Sequence, residues 1–331
     1  MKALVLEAKG QPMSIKTIPD PALRAGVVQI RVKAAALNHR DLFITQGQYS
    51  NIQYPLVLGS DGAGVVERVG AEVPASWVGK SVLINPSFNW GEDEDVQAKE
   101  FKILGLPDNG TLAELVTVPL EYVNPIPEHL TFVQAAALPL AGLTAYRALF
   151  SRANLRGGDR VLVTGIGGGV AQFALQFALK AGCEVWVTSG DASKLRMAEG
   201  MGATGGANYK DEGWAAKLRE KSGLFNVIID GAGGPGFVDL LELAAPAGRI
   251  AIYGGTRGAM DKVSPQRIFW KQLSILGSTM GSPSDFLNML HFVRDNAIVP
   301  VIDEVFPFEE ALDAFAKMEA GTQVGKLVVE I

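Results

Sequence analysis

A run of glycines between an apolar segment and a helical pattern is the feature that most constrains this fold. The run, residues 164–171, reads Thr-Gly-Ile-Gly-Gly-Gly-Val-Ala. It follows the strand-like segment 160–164, precedes the helical pattern 171–180, and is followed by a second strand-like segment, 184–188, at the spacing of a βαβ unit. Such a turn lets backbone N–H groups approach a pyrophosphate at the N-terminus of a helix. The sequence therefore predicts a dinucleotide-binding βαβ unit, and the alternative is a tight turn that binds no ligand.

The composition indicates a soluble protein of two domains. The 331 residues are 48% hydrophobic and 20% charged, which suits two globular domains. The net charge of −5 and the scattered Lys and Arg residues give no basic surface for nucleic acid or an anionic membrane. The single cysteine, Cys183, excludes an internal disulfide and a multi-cysteine metal site. Because no apolar run approaches about 18 residues and the early charges do not suit a signal peptide, we expect a cytoplasmic protein.

The first part of the chain is rich in short alternating or β-branched runs. These lie at residues 27–32, 64–69, 81–84 and 113–118, and Gly and Pro punctuate them. This pattern predicts an antiparallel, partly barrel-like β domain over residues 1–127.

From residue 128 onward, strand-like segments alternate with helical patterns. After the two strands of the βαβ unit come segments 226–230 and 249–253, and 274–277 resembles a last strand. This alternation predicts a doubly wound parallel sheet with helices on both faces, over residues 128–281. The end of the chain, 325–331, is a further strand-like segment, which we expect to return to the first domain.

Several motifs occur in a fixed order along the chain. Residues 35–41 read Ala-Ala-Leu-Asn-His-Arg-Asp, and residues 55–64 read Pro-Leu-Val-Leu-Gly-Ser-Asp-Gly-Ala-Gly. Residues 135–146 read Ala-Ala-Ala-Leu-Pro-Leu-Ala-Gly-Leu-Thr-Ala-Tyr, the glycine turn follows, and residues 325–329 read Gly-Lys-Leu-Val-Val. Through these motifs the chain resembles the medium-chain dehydrogenase/reductase superfamily along essentially its whole length.

The resemblance implies an α/β architecture of two kinds of domain. It implies a GroES-like, β-rich catalytic domain at residues 1–127, an NADP-binding Rossmann domain at residues 128–281, and a return of residues 282–331 to the catalytic domain. It also implies a cleft between the domains, in which hydride moves to or from a nicotinamide.

The chain departs from the zinc-dependent alcohol dehydrogenases of this superfamily at the metal ligands. Those enzymes have cysteine at the place of Asn38, histidine and glutamate at the places of Ser60 and Asp61, and cysteine or an acidic residue at the place of Leu140. A catalytic zinc needs three Cys, His or carboxylate ligands. The four-cysteine structural zinc lobe is also replaced, by residues 85–95, whose acidic run is interpreted as a solvated loop. The chain therefore resembles the zinc-free, quinone-oxidoreductase-like branch, and we expect it to bind no metal.

The cofactor preference is predicted from the end of the second strand. Ser189 lies 24 residues after Gly165, where NAD-preferring sites usually carry Asp or Glu to bond the ribose hydroxyls. A serine leaves space for a 2′-phosphate, Lys194 offers positive charge, and by resemblance Tyr209 flanks the same phosphate. Asp191 is a carboxylate two residues beyond Ser189 and so argues against NADPH, but we interpret it as the N-cap of the next helix. NADPH is therefore predicted over NADH.

Other cofactor contacts are predicted from the glycine turn and from the ends of later strands. The backbone of the turn should hold the pyrophosphate, and the ends of the later strands should line the rest of the site. The predicted residues are Gly165, Gly167, Gly168, Gly169, Val170, Gly254 and Ser278. By resemblance, Thr144 bonds the nicotinamide carboxamide, or it is an ordinary threonine buried in a helix. His39 contacts a cofactor phosphate by resemblance, or it is a surface histidine.

Asn38 is the leading candidate for the reacting centre. Its amide can bond the cofactor ribose or polarise a substrate carbonyl, and the alternative is a buried amide that satisfies loop backbone. Arg40 and Asp41 are interpreted as a structural ion pair.

These residues predict NADPH-dependent, zinc-free transfer of hydride to a quinone or an α,β-unsaturated carbonyl. The alternatives are an alcohol dehydrogenase or an enoyl-thioester reductase of the same superfamily, and a non-enzymatic NADPH-binding redox sensor or structural protein. A homodimer is expected through the strand at Ser274–Gly277, because this strand is apolar and relatives commonly extend their sheet there.

Overall fold

The computed structural model describes all 331 residues, which divide into two compact units. The first unit comprises Met1–Ala141 with Ser282–Ile331, and the second comprises Gly142–Gly281. Residues 128–141 thus lie with the first unit, whereas the sequence analysis begins the second domain at residue 128. The C-terminal segment starts at residue 282 in both divisions.

The elements follow one another in chain order. The strands are β1 (Lys2–Leu6), β2 (Ser14–Thr17), β3 (Val27–Ala36), β4 (Leu56–Val57), β5 (Asp61–Val69), β6 (Ser81–Ile84), β7 (Ser87–Phe88), β8 (Lys102–Ile103), β9 (Leu115–Pro119), β10 (Val123–Pro125), β11 (Arg160–Val163), β12 (Glu184–Ser189), β13 (Gly205–Asn208), β14 (Phe225–Asp230), β15 (Ala244–Ile252), β16 (Ser274–Gly277), β17 (Ile302–Pro307) and β18 (Lys326–Glu330). The α-helices are α1 (His39–Thr45), α2 (Phe132–Ala137), α3 (Pro139–Tyr146), α4 (Gly169–Lys180), α5 (Ala192–Gly200), α6 (Trp214–Ser222), α7 (Phe237–Leu243), α8 (Pro265–Trp270), α9 (Pro283–Asp295) and α10 (Ala311–Ala320). None of these helices combines the length and the apolar character needed to cross a membrane.

The first unit is built on a seven-stranded sheet in the order β10-β6-β5-β3-β18-β17, with β9 also paired to β3. β3 is the longest strand, and its side chains are mostly buried along its length. The predicted β domain is confirmed, and so is the return of the chain end, because β18 pairs antiparallel with β3 from Val328 opposite Ala36. The sheet is not antiparallel throughout, since β17 and β18 run parallel.

The second unit is a six-stranded parallel sheet in the order β13-β12-β11-β14-β15-β16. The central strand β11 is apolar after its first residue, as expected for a strand covered on both faces. Strand order reverses after β11, since β12 lies on one side of it and β14 on the other. The predicted Rossmann sheet is therefore confirmed, and β16 forms one of its edges.

Candidate functional site

The glycine turn joins β11 to α4, as predicted. Gly165 has φ +63°, and a Cβ atom added there would meet no neighbour, so it is the backbone conformation that requires glycine. The N–H groups of Gly167, Gly169 and Val170 donate to no acceptor in the protein. These three unpaired donors are available to an anion at the start of the helix, which has the form of a pyrophosphate site.

Three side chains that the sequence analysis missed hold this turn in place. The Thr164 hydroxyl donates to Asp230 Oδ1 at 2.6 Å, and the Gly165 N–H donates to Thr188 Oγ1 at 3.2 Å. Asp230 ends β14 and also accepts the N–H of Gly233 through Oδ2 at 2.9 Å. An acidic residue at the end of a predicted parallel strand, followed by glycines, is the signal that could have identified this anchor.

A half-buried phenol, Tyr253, lies near the same carboxylate. Burial, with the negative charge of Asp230 added, raises the pKa of Tyr253 far above its ordinary value. The Tyr253 hydroxyl therefore remains protonated at neutral pH and adds no negative charge to this end of the sheet.

Ser189 ends β12, as predicted for the ribose-binding position, and it is buried. Its Oγ accepts the Asp191 N–H at 3.1 Å, which leaves the hydroxyl proton for another acceptor. Asp191 is confirmed as the N-cap of α5, because its side chain accepts the Ser193 N–H at 2.7 Å. The Asp191 carboxylate thus accepts a backbone hydrogen bond at the start of α5.

Two further side chains lie next to this strand end. A Cβ on Gly190 would lie 2.7 Å from Lys210 Cε and 2.8 Å from the Tyr209 hydroxyl, so both side chains pack directly on this glycine. The Arg257 guanidinium stacks on the Tyr209 ring, 5.3 Å from its centroid. Sequence reasoning identified Tyr209 but not Arg257, although the run Gly-Gly-Thr-Arg-Gly after a predicted strand marks a ligand-facing loop.

The ends of β15 and β16 carry the remaining predicted cofactor residues. Ser278 Oγ is buried with no hydrogen-bond partner, and its N–H donates to Ile252 O at 2.8 Å. A Cβ on Gly254 would approach Gly231 O to 2.9 Å, so the backbones run close together there. Thr144 is buried, with Oγ1 4.0 Å from Met280 Sδ. The unpartnered hydroxyl and the open glycine turn fit a nicotinamide dinucleotide at this edge of the sheet.

The first unit contains a buried polar network around Asn38. Lys326 Nζ donates to Asp61 Oδ2 at 3.0 Å, to Asn38 Oδ1 at 2.7 Å and to Leu37 O at 2.8 Å. The side chains of Lys326 and Asp61 are 3% and 0% exposed, so this ion pair is sealed from water. The other Asp61 oxygen accepts the Leu140 N–H at 2.8 Å.

This network fixes the orientation of the Asn38 amide. An ammonium can only donate, so the amide oxygen must face Lys326. The Asn38 Nδ2 group then donates one proton to Asp61 Oδ2 at 2.9 Å, and its second N–H has no acceptor in the protein. Asn38 is thus a buried amide with one oriented donor left over. Lys326 was not identified as a site residue from the sequence.

Arg40 and Asp41 do not form the expected ion pair, so that interpretation is wrong. Arg40 Nη1 donates to Ser60 Oγ and to Leu104 O, the latter at 3.0 Å. The Asp41 carboxylate instead accepts the backbone N–H of Asn38 at 2.8 Å. Burial raises the pKa of Asp41, while the nearby charge of Arg40 and this hydrogen bond act in the opposite direction.

His39 lies at the first position of α1 and is exposed. Desolvation by the surrounding protein, followed by the charge of Lys326, lowers the pKa of its imidazole. An uncharged imidazole at neutral pH can hydrogen-bond to a phosphate but cannot form an ion pair with it.

The residues at the zinc-ligand positions do not fit a catalytic zinc. Ser60 donates its hydroxyl to Leu104 O at 2.8 Å and accepts from Arg40, while Leu140 offers only its backbone. No group of three or more His, Cys, Asp or Glu side chains is arranged to hold a metal. The acidic run Glu92 to Asp95 is exposed, as a solvated loop requires.

Two family models match the chain, one on each kind of domain. Residues 24–128 match the alcohol dehydrogenase GroES-like domain, and residues 169–295 match the zinc-binding dehydrogenase domain.

Individual proteins match over almost the whole length. A zinc-type alcohol dehydrogenase-like protein of Leptosphaeria maculans is 34% identical, over 97% of this chain and 95% of its own. A mouse quinone oxidoreductase is 28% identical, over 99% of this chain and 97% of its own. The crystal structure of an NAD-dependent alcohol dehydrogenase superposes with a TM-score of 0.95 at 36% identity, with both chains covered completely. The protein therefore belongs to the medium-chain dehydrogenase/reductase superfamily, as a zinc-type alcohol dehydrogenase-like oxidoreductase of a family that binds nicotinamide cofactors.

Proposed function

We propose that the protein is an NADPH-dependent, zinc-free oxidoreductase that transfers hydride to a quinone or an α,β-unsaturated carbonyl. The observation that carries this proposal is the closed network of Asn38, Asp61 and Lys326. Asn38 and Asp61 stand at positions where zinc-dependent relatives hold metal ligands, and the network leaves one amide N–H of Asn38 without an acceptor.

The spare amide N–H of Asn38 limits the kinds of acceptor that the site suits. The nicotinamide, when bound, supplies the hydride. Oxyanion charge that develops on the acceptor must then be met by hydrogen bonds, and the spare N–H of Asn38 is one such donor. A conjugated acceptor suits this site because it spreads the incoming charge. A simple alcohol does not, because its proton must be lost without a Lewis acid. The likeness to a mouse quinone oxidoreductase supports the same choice.

The test is turnover with a panel of acceptors. We expect NADPH oxidation, followed at the absorbance band of the reduced nicotinamide, with small quinones and enones, and little oxidation of ethanol. Protein purified without chelator should contain well under one zinc per chain by elemental analysis. Fast ethanol oxidation or a tight stoichiometric zinc would contradict the proposal. Tight NADPH binding with no turnover on any acceptor would support a redox sensor instead, and turnover only with enoyl thioesters would support a thioester reductase.

NADPH is proposed over NADH because of the groups around Ser189. A hydroxyl proton, the Lys194 and Lys210 ammonium groups and the Arg257 guanidinium suit a 2′-phosphate, and no carboxylate replaces Ser189 at the strand end. The structural relative described as NAD-dependent makes this preference worth testing directly.

We expect Ser189→Asp to erode or reverse the preference, because a carboxylate repels the 2′-phosphate and bonds an unphosphorylated ribose. Arg257→Ala should weaken NADPH binding by about 1.5–3 kcal/mol, roughly 10- to 150-fold in Kd, and NADH binding much less. Fluorescence titration of both cofactors measures this. Arg267→Ala, at a surface arginine paired with Glu242, is the matched control and should change neither cofactor. Equal weakening of NADPH and NADH by Arg257→Ala would argue against a phosphate contact.

A homodimer through the edge of the second unit is also proposed. β16 leaves one side of its backbone unpaired at the end of the sheet, and Ile275 on it is 36% exposed. Phe269 and Trp270, just before it, are 53% and 79% exposed. An apolar sheet edge flanked by exposed aromatic rings suits a second copy that continues the sheet.

Light scattering at micromolar concentration should therefore show a dimer. Ile275→Lys combined with Trp270→Ser should give a monomer, because a charge on an edge strand opposes pairing. Leu287→Ser removes an apolar side chain that is 49% exposed on α9, and it should leave the dimer intact. A monomeric parent protein would refute the proposal.

A further inference from the structure

We propose that Arg40 binds the acceptor's carbonyl oxygen and stabilises the negative charge that this oxygen gains during reduction. The inference deepens the proposed function and rests on it. It assigns to Arg40 the role of the charged group at the reacting centre, with an anionic oxygen on a conjugated carbon framework as its ligand.

The guanidinium is anchored through one nitrogen, and its other two nitrogens make no hydrogen bond to the protein. Nη1 makes both hydrogen bonds of the side chain, to Ser60 Oγ and Leu104 O. Nε is buried and has no partner, and Nη2 makes no hydrogen bond to the protein. Nε and Nη2 form one edge of the planar fork, the edge that binds pairs of oxygen atoms side on. The two hydrogen bonds of Nη1 therefore hold the edge formed by Nε and Nη2 in a fixed direction.

Arg40 makes no ion pair, although Asp41 lies near enough for the two charges to interact. The residue is 8% exposed, and no carboxylate lies within ion-pair distance of its guanidinium. Asp41 is the neighbouring acid, but its oxygens accept the backbone N–H groups of Asn38 and Gly59, the latter at 3.3 Å. Two further cations are buried, Arg147 and Lys326, and the Lys326 ammonium already donates its three protons to protein acceptors. Arg40 is thus a buried cation with donors on Nε and Nη2 that bond no protein acceptor.

Unused donors on a buried guanidinium destabilise the protein unless a ligand accepts their hydrogen bonds. A buried donor without a partner and a buried charge without a salt bridge both oppose folding. Arg40 also follows Asn38 by two residues, and it bonds Ser60, one of the positions where zinc-dependent relatives hold a metal ligand. The Tyr49 ring lies 5.7 Å from the guanidinium carbon and is 39% exposed, so an aromatic face borders the same group. A planar, conjugated oxygen compound matches both features.

With an enone, the hydride transfer generates an enolate. The acceptor gains the hydride at its β-carbon, at the expense of the reduced nicotinamide. The π electron pair of the C=C bond moves toward the carbonyl, and the carbonyl oxygen becomes an enolate oxygen that accepts the N–H groups of Arg40. A proton from water then adds to the α-carbon, and the saturated ketone forms. Arg40 keeps its own protons throughout.

The test uses 4-nitrophenol, which ionises near neutral pH and changes its absorbance when it does so. It resembles the anion of a reduced quinone and needs no turnover. Parent protein should bind the phenolate form and lower the apparent pKa of the bound phenol. Arg40→Gln should abolish that shift, and Arg40→Lys should retain part of it, because the charge remains but the fork is lost. Arg31→Gln, at an exposed arginine paired with Glu67, is the matched control and should leave the shift unchanged.

Kinetics give the second measurement. Arg40→Gln should lower kcat for a quinone by about 10²-fold or more with a smaller change in KM, since the contact strengthens as charge develops. An unchanged phenol shift in both Arg40 variants overturns the proposal, and so does an unchanged kcat. If Arg40→Gln does not fold, the phenol shift and the kcat of Arg40→Lys decide whether the proposal stands. Absence of any quinone or enone turnover by the parent protein would contradict the proposed function, whereas loss of the phenol shift in the Arg40 variants would still support the anion site.

Discussion

Replacing Asn38 with alanine should lower kcat for quinone reduction by about 10²–10³-fold, the usual effect of removing one oxyanion donor. The reason is the spare Nδ2–H, which Lys326 and Asp61 hold in one orientation. A donor that is already oriented needs no rearrangement when charge develops on the acceptor. Steady-state kinetics with NADPH and a quinone measure the effect.

The split between the kinetic constants decides the role of Asn38. Loss of a contact made only in the transition state lowers kcat and kcat/KM together, whereas a rise in KM alone would make Asn38 a cofactor-positioning residue. Asn124→Ala, at a half-buried asparagine of β10 in the same unit, is the control and should retain full activity. A circular dichroism melt should accompany both variants, because Asn38→Ala also removes a partner from Lys326.

Lys326→Met should destabilise the protein by about 3–5 kcal/mol, the usual cost of removing one partner from a buried ion pair. The substitution leaves Asp61 charged and enclosed, and it removes the donors to Asn38 Oδ1 and Leu37 O. Chemical denaturation followed by fluorescence measures the free energy of unfolding.

A surface lysine provides the comparison. Lys317 pairs with Asp303 and Glu304 near solvent, so Lys317→Met should cost only about 0–1 kcal/mol. Combining Lys326→Met with Asp61→Asn should recover part of the lost stability, because the unpaired charge is removed as well. Equal costs for the two lysines would show that the buried pair contributes no more than a surface pair.

The motif residues were predictable because their chemistry is local. The glycine turn, the strand end at Ser189 and the N-cap at Asp191 each depend on a few consecutive residues, and the structure places them as the sequence indicated. The β16 edge and the return of the C-terminal strand were predictable for the same kind of reason, since each follows from an apolar run between turn signals.

The partners of long, charged side chains were not predictable. Arg40 was expected to pair with its neighbour Asp41, but two residues adjacent on a helix do not face each other, and Arg40 bonds Ser60 and Leu104 instead. Arg257 was missed because its loop carries no recognisable motif beyond glycines, and its stacking on Tyr209 depends on how two loops fold.

The sequence by itself determined the two kinds of domain, the glycine turn between β11 and α4, and the absence of zinc-ligand side chains at Asn38, Ser60 and Leu140. These depend on residue type and on spacing along the chain. Only the tertiary structure decided which polar groups are satisfied. Lys326 meets Asp61 across 265 residues because β18 joins β3, and that meeting orients Asn38, while Arg40 bonds Ser60 and makes no ion pair. Hydrogen-bond pairing acts over about 3 Å, so it is fixed by sheet topology and not by sequence separation.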